Sequence, residues 1–193
     1  MKKLLTLIAA ISLFSSAHAA NPKNWDILPS HSKIEFFAKQ GETEISGSFK
    51  KFSGLISFDA KNLVSSKIVV DIDVTSLDTS FQNAAELLSQ KEWFDFAKYP
   101  KAKFTSQTIV AIPENKYRCS GTLKIKGKEV PATFDFAFEK YSSDEARALG
   151  TLIIKRTDFD IGNKDEKLAE GVKDDVLIKF NVTAIPYDLK VGI

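Results

Sequence analysis

KYRCSGTLKIKGKEVPATFDFAF, residues 116–138, decides the fold class. Read with period two, Tyr117, Cys119, Gly121, Leu123 and Ile125 share one face, while Arg118, Ser120, Thr122 and Lys124 share the other. Beyond Lys126-Gly127-Lys128 the alternation resumes: Val130, Ala132, Phe134, Phe136 and Phe138 oppose Thr133, Asp135 and Ala137. A helix would scatter these residues around its axis, whereas a strand sends them to two separate faces. Two half-buried strands joined by a short Gly-containing turn read as an antiparallel hairpin.

The same pattern extends outward in both directions. Upstream, Ile68, Val70, Ile72 and Val74 alternate with Val69, Asp71 and Asp73; downstream, Val176, Ile178, Phe180 and Val182 oppose Leu177, Lys179, Asn181 and Thr183. Further strands are expected at residues 33–38, 45–49, 55–59, 104–112 and 149–158, with a second tight turn at Pro113-Glu114-Asn115-Lys116. One helix is expected over residues 83–91, where Ala84, Ala85, Leu87 and Leu88 interleave with Glu86 and Ser89, ahead of Trp93-Phe94-Asp95-Phe96. The polar stretches 140–147 and 163–173 read as loops. About eight strands in meandering order predict an all-β, antiparallel up-and-down barrel with one or two short helices. Arg118, Lys124, Asp135, Lys179 and Asn181 on the second face must meet water, so the apolar face points inward, the reverse of an outer-membrane barrel. Large inward residues such as Phe134, Phe136 and Phe180 stand beside small ones such as Gly121, Ala132 and Cys119. That mixture suits an interdigitated solid core as well as a hollow one.

Ahead of this region, Met1-Lys2-Lys3, an apolar run from Leu4 to Phe14 and Ala17-His18-Ala19 have the parts of a cleavable export signal. The expected cut follows Ala19, leaving residues 20–193 as a single exported, periplasmic domain. No later apolar run approaches the roughly 20 residues of a membrane helix, so the chain is not expected to span a membrane. Removal of the signal takes two lysines and leaves basic residues equal in number to the 25 acidic ones. That balance gives no basic surface for a phosphate backbone, and nucleic acid is not expected as a partner.

Catalytic chemistry finds little support. His31 is the one imidazole left after Ala19, and Cys119 is the lone cysteine, so no zinc pattern forms and no internal disulfide is available. Neither catalytic residues nor a metal site is expected, and the carboxylates of Asp158, Asp160, Asp165, Glu166, Asp174 and Asp175 read as solvated loop charges.

Eight stretches in order carry a resemblance: Trp25-Asp26; His31-Ser32-Lys33-Ile34-Glu35-Phe36; Gly47-Ser48-Phe49-Lys50-Lys51-Phe52-Ser53-Gly54; Ser76-Leu77-Asp78-Thr79; Trp93-Phe94-Asp95; Tyr99-Pro100-Lys101-Ala102-Lys103-Phe104-Thr105-Ser106; Gly121-Thr122-Leu123-Lys124-Ile125-Lys126-Gly127; and Lys155-Arg156-Thr157-Asp158-Phe159-Asp160-Ile161-Gly162. Together they resemble the YceI family of periplasmic polyisoprenoid-binding proteins over essentially the whole exported chain. The resemblance implies a lipocalin-like barrel, often dimeric, that holds a long isoprenoid or similar amphiphile without catalysis and without a cofactor other than that bound lipid. Ile34, Phe36, Phe49, Ile72, Val74, Phe104, Tyr117, Cys119, Leu123, Phe134, Phe136 and Phe180 are the expected lining, with Trp93 and Phe94 at the mouth or sealing one end. This chain departs from the better-known branch in having Gln40-Gly41 where that branch has a histidine before the glycine. It also has Ala84-Ala85 in place of an Arg-Asp pair. If those side chains hold a quinone-like head, that contact is missing here, which leaves a polyprenyl quinone, a fatty acid and a fatty amide all open. A filled barrel acting through a membrane-protein partner, or a small enzyme using His31 or Cys119, are the alternatives.

Overall fold

Lys126 and Gly127 both take positive φ, 49° and 76°, and this two-residue turn sets Ile125 opposite Lys128 in the computed structural model. The structure describes residues 23–79, 84–163 and 169–187. The expected signal at residues 1–19 lies outside the described residues, as do residues 164–168 of the expected 163–173 loop.

Eleven strands and a helix follow in the order β1 (Lys23–Ile27), β2 (Lys33–Gln40), β3 (Thr43–Phe49), β4 (Phe52–Phe58), β5 (Lys67–Asp73), β6 (Leu77–Thr79), α1 (Ala84–Ser89), β7 (Lys101–Ile112), β8 (Lys116–Ile125), β9 (Lys128–Tyr141), β10 (Ala146–Lys155) and β11 (Asp175–Pro186). The pairing register shows that six of them are halves of three longer strands. β1 and β2 lie end to end on β11, with Ile27 opposite Ala184 and Ile34 opposite Phe180. β3 and β4 run along β2 and β1 in turn, and β5 and β6 along β4 and β3. The result is a closed eight-stranded antiparallel up-and-down barrel, in which every long strand neighbours the next in sequence and the last pairs with the first. Expectation and structure agree on this architecture.

The three breaks are satisfied by local hydroxyls rather than left as defects. At the first, a 3-10 turn over Pro29–His31 is bridged by Ser32, whose Oγ donates to the Leu28 carbonyl at 2.7 Å and accepts from the Thr183 N–H at 2.9 Å. At the second, Lys50 and Lys51 donate their N–H groups to the Ser76 carbonyl and Oγ. At the third, Asp73 caps the Val74–Ser76 turn by accepting from the Thr75 N–H at 3.0 Å and from its hydroxyl at 2.5 Å. Buried backbone groups need such partners, and these residues supply them where the ladder cannot.

Besides strand ends that shift by up to three residues, four features differ from expectation. β1 is not among the expected strands because its five residues offer only Trp25 and Ile27 as an alternating pair. β6, three residues long, is below the length at which periodicity registers. Residues 140–147 are a tight hairpin rather than a loop: Tyr141 pairs with Ala146, and the Ser142 hydroxyl donates to the Glu145 carbonyl at 2.9 Å, so the polar composition reflects an exposed turn. Finally β10 starts earlier and stops at Lys155, where Arg156–Phe159 winds into a 3-10 turn ended by Asp160 at φ 55°.

Candidate functional site

The inward faces enclose a cavity of about 260 Å³ whose wall is almost wholly carbon. At about 3.3 Å per residue and a strand tilt near 40°, the run from Val176 to Ala184 along its wall spans roughly 20 Å of barrel axis. The space is therefore long and narrow.

What keeps it open is the way three phenyl rings are seated. Phe180 lies opposite Gly150 in the β10–β11 ladder, and a Cβ at Gly150 would fall 2.2 Å from the Phe180 Cζ. Phe36 lies in the same way over Gly47 on the facing strand, 2.6 Å from where a Cβ would stand. At Gly121 a Cβ would meet the Thr105 carbonyl at 2.3 Å and the Phe104 Cζ at 2.8 Å. Each ring thus lies flat on the wall in the place of a missing side chain. Small residues beside large ones serve here to flatten the wall and not to interlock across the centre.

Ile34, Phe36, Phe49, Ile72, Val74, Phe104, Leu123, Phe134, Phe136 and Phe180 all line the cavity. Tyr117 and Cys119 do not. The Tyr117 ring stacks on Phe136 at 5.3 Å and meets the edge of Phe58 at 5.2 Å, within the aromatic cluster at one end of the barrel. Cys119 is completely buried, and burial pushes its thiol up to about 12, so it stays protonated and unreactive at physiological pH. His31 is exposed at the first strand break, its Nδ1 3.0 Å from the Ser30 Oγ, and is not a lining residue. Asp174 is occupied in capping Thr157, and Asp160 pairs with Lys128 at 3.0 Å; Asp165 and Glu166 lie outside the described residues.

The two ends differ. At one, Phe58 is 2% exposed and has Tyr117, Phe136, Phe138 and Tyr141 around it at 5.1–6.2 Å, with Trp25 against Tyr141 at 5.7 Å. The Trp25 Nε1–H is buried without a hydrogen-bond partner among the described residues. At the other, Leu88 of α1, Trp93, Phe94, Ile161 and Val172 close over the lumen. These come from separate loops tied by polar contacts: the Gly162 N–H donates to the Glu92 carbonyl at 2.8 Å, and Lys126 Nζ reaches the Asp160 carbonyl at 2.7 Å and the Glu92 carbonyl at 3.3 Å. Arg156 also lines this end, donating from Nε to the Lys173 carbonyl, from Nη1 to Ile161 and from Nη2 to Val172, at 3.2, 2.7 and 3.2 Å. Sequence reading missed Ile161, Val172 and Arg156, which sit in loops where no periodicity marks an inward face.

A family model described as YceI-like domain matches residues 25–184. A UPF0312 protein of Vibrio campbellii is 32% identical over 170 residues, covering 83% of this chain and 89% of that protein. Among solved structures, BcnA of Burkholderia cenocepacia superposes with a TM-score of 0.76 at 32% identity, covering 81% of this chain and 98% of that one. A domain of Saccharophagus degradans described as polyisoprenoid-binding superposes with a TM-score of 0.69 over 84% of this chain and 98% of its own; at 16% identity it speaks to the fold.

Proposed function

The chain belongs to the YceI-like family, and from that premise we propose that it is an exported, periplasmic carrier that holds one polyisoprenoid or similar amphiphile inside its barrel. The observation that carries this reading is the seating of Phe36, Phe104 and Phe180 on glycines, which leaves a continuous apolar lumen. Its energetics are those of simple transfer. Apolar surface leaving water gains about 25 cal/mol per Å², so affinity grows with chain length and requires few polar contacts. A domain described as polyisoprenoid-binding on the same fold supports a lipid occupant. The protein acts by binding rather than by catalysis: Cys119 is sealed in the wall and His31 faces solvent, so neither is presented to a bound chain. The lumen likewise favours a carrier over a filled barrel that works through a membrane-protein partner.

Native mass spectrometry of the protein purified gently from its own periplasm, followed by organic extraction, tests the reading. A stoichiometric lipid is expected, and its loss from a folded Phe134→Asp variant, because a carboxylate set among the Phe104, Phe136 and Phe180 rings has nothing there to offset its desolvation. A wild-type protein that carries nothing and refuses added polyprenols and fatty acids, or a folded Phe134→Asp barrel that still holds its lipid, would overturn it.

A further inference from the structure

The solid and hollow parts of the barrel meet at a definite level. Trp25, Phe58, Phe136, Ala146 and Ala184, from β1, β4, β9, β10 and β11, belong to one packed cluster, and none is more than 6% exposed. The exposed Tyr141 ring packs on Trp25 and on Phe58, each at 5.7 Å, and covers this layer from the rim. One step further along the β10–β11 ladder the inward residues change character. Ala146 faces Ala184 inside the buried layer, whereas Ala148 with Val182, Leu152 with Ile178 and Ile154 with Val176 are half-buried pairs that line the cavity. On the inward face of a closed barrel such exposure is exposure to the lumen. The lumen therefore starts at Ala148 and Val182 and reaches Ile154 and Val176, beside the loops that carry Ile161 and Val172. From Val182 to Val176, at about 3.3 Å per residue and a tilt near 40°, it runs roughly 15 Å.

We propose that Phe58 and its neighbours form a floor against which the protein measures its ligand, so that this chain selects lipids by the length of the tail. This deepens the carrier reading and rests on it. A zigzag of ~1.5 Å bonds at about 111° advances about 1.25 Å per carbon, so roughly 15 Å of lumen holds about twelve extended carbons. A wall that is almost wholly carbon gives a polar head no hydrogen bond in exchange for its water, which keeps the head out of the lumen. The floor resists a longer tail, because its residues stand on laddered strands and Phe58 is held among four rings. Trp93 and Ile161 are buried as deeply, but at the opposite end they stand on loops. The head therefore stays at the Trp93 end, and carbons beyond the limit are pushed out past those loops, where they gain no wall.

The test is calorimetric titration of the delipidated protein with primary alcohols from hexanol to octadecanol. Below the limit each added methylene is expected to tighten binding about four-fold, and above it by less than about two-fold. Phe58→Leu lowers the floor and should move the break to longer tails by about two carbons, whereas Ala148→Leu raises it and should move the break to shorter tails by about as many. A shift in the stated direction in either folded variant supports the floor. Affinity that climbs without a break to octadecanol would overturn the proposal and leave the carrier reading standing. A break that stays in place in both variants would also overturn it, by tracing the limit to the alcohols' own behaviour in water and not to Phe58. Wild type that binds none of the alcohols would overturn the carrier reading and this proposal together.

Discussion

At one end of the barrel Phe58 sits inside a ring of four aromatic side chains carried on continuous strands; at the other, Trp93 lies beneath loops tied to one another by backbone carbonyls and the side chains of Lys126 and Arg156. Both ends are apolar and both line the same cavity, yet they are built from different materials. The aromatic end gains from dense dispersion contacts between elements that the ladders already fix. The covered end is assembled from a helix of six residues, 3-10 turns and loop carbonyls. Ligand entry is expected here, since the elements that open are drawn from the least cooperative part of a fold.

The sharpest way to break this contrast is to truncate one side chain at each end. Phe58→Ala should cost about 3–5 kcal/mol in denaturant unfolding, because the surrounding rings cannot collapse into the space it leaves. Leu88→Ala, on half-exposed α1, should cost only about 1–2 kcal/mol while speeding lipid exchange measured by fluorescence transfer to vesicles. Equal costs, or faster exchange in the Phe58 variant, would show that the ends are not specialised. A second, smaller effect separates wall from lumen. Gly150→Ala drives a methyl into the seat of Phe180 and should cost about 1–3 kcal/mol by overpacking. The ring has room to move only inward, so lipid capacity should fall further than stability does.

The smallest expected effect is one of pH. In the folded protein Asp73 lies below its ordinary value because the Thr75 hydroxyl and amide bond its ionised form. Burial pushes Asp174 up, but the Thr157 hydroxyl and N–H outweigh it and the net shift is also downward. Both carboxylates therefore bind protons less readily folded than unfolded. The stability they add is complete above the usual carboxylate range near pH ~4 and is lost as pH falls through and below it. Both lie at the covered end. Hydrogen exchange at successively lower pH should show amides around residues 73–76 and 156–162 losing protection before those of β8 and β9 near Tyr117 and Phe136. Uniform loss along the barrel would remove the distinction between the ends.

The barrel itself was legible because period-two alternation and tight turns are local signals, and β8 and β9 carry both in full. Whether the barrel was hollow was not legible, since that depends on which residue faces each phenyl across a ladder. Around Gly150 apolar residues occupy both faces of β10: Leu149 and Ile153 face outward and stay exposed, while Leu152 and Ile154 line the cavity. No alternation there reveals that Gly150 is a seat. Cys119 and Tyr117 fit the inward face by parity, but parity cannot separate a side chain that lines a lumen from one sealed between neighbours or packed into the aromatic end. Arg156 falls inside the strand expected over residues 149–158, and nothing local marks it as the point on which the carbonyls of Ile161, Val172 and Lys173 converge.

The pairing of Phe180 with Gly150 has a consequence for how the barrel is assembled. A one-residue slip between β10 and β11 would turn the apolar face outward and be rejected at once. A two-residue slip keeps every face correct and is the error hardest to reject by burial alone. In that slipped barrel Phe180 would face Ala148 or Leu152 and its ring would stand in the lumen, where the tail must lie. Under the proposed function, a bound lipid would add its free energy only to the arrangement that leaves the lumen clear, and would thereby act as a gauge of correct threading.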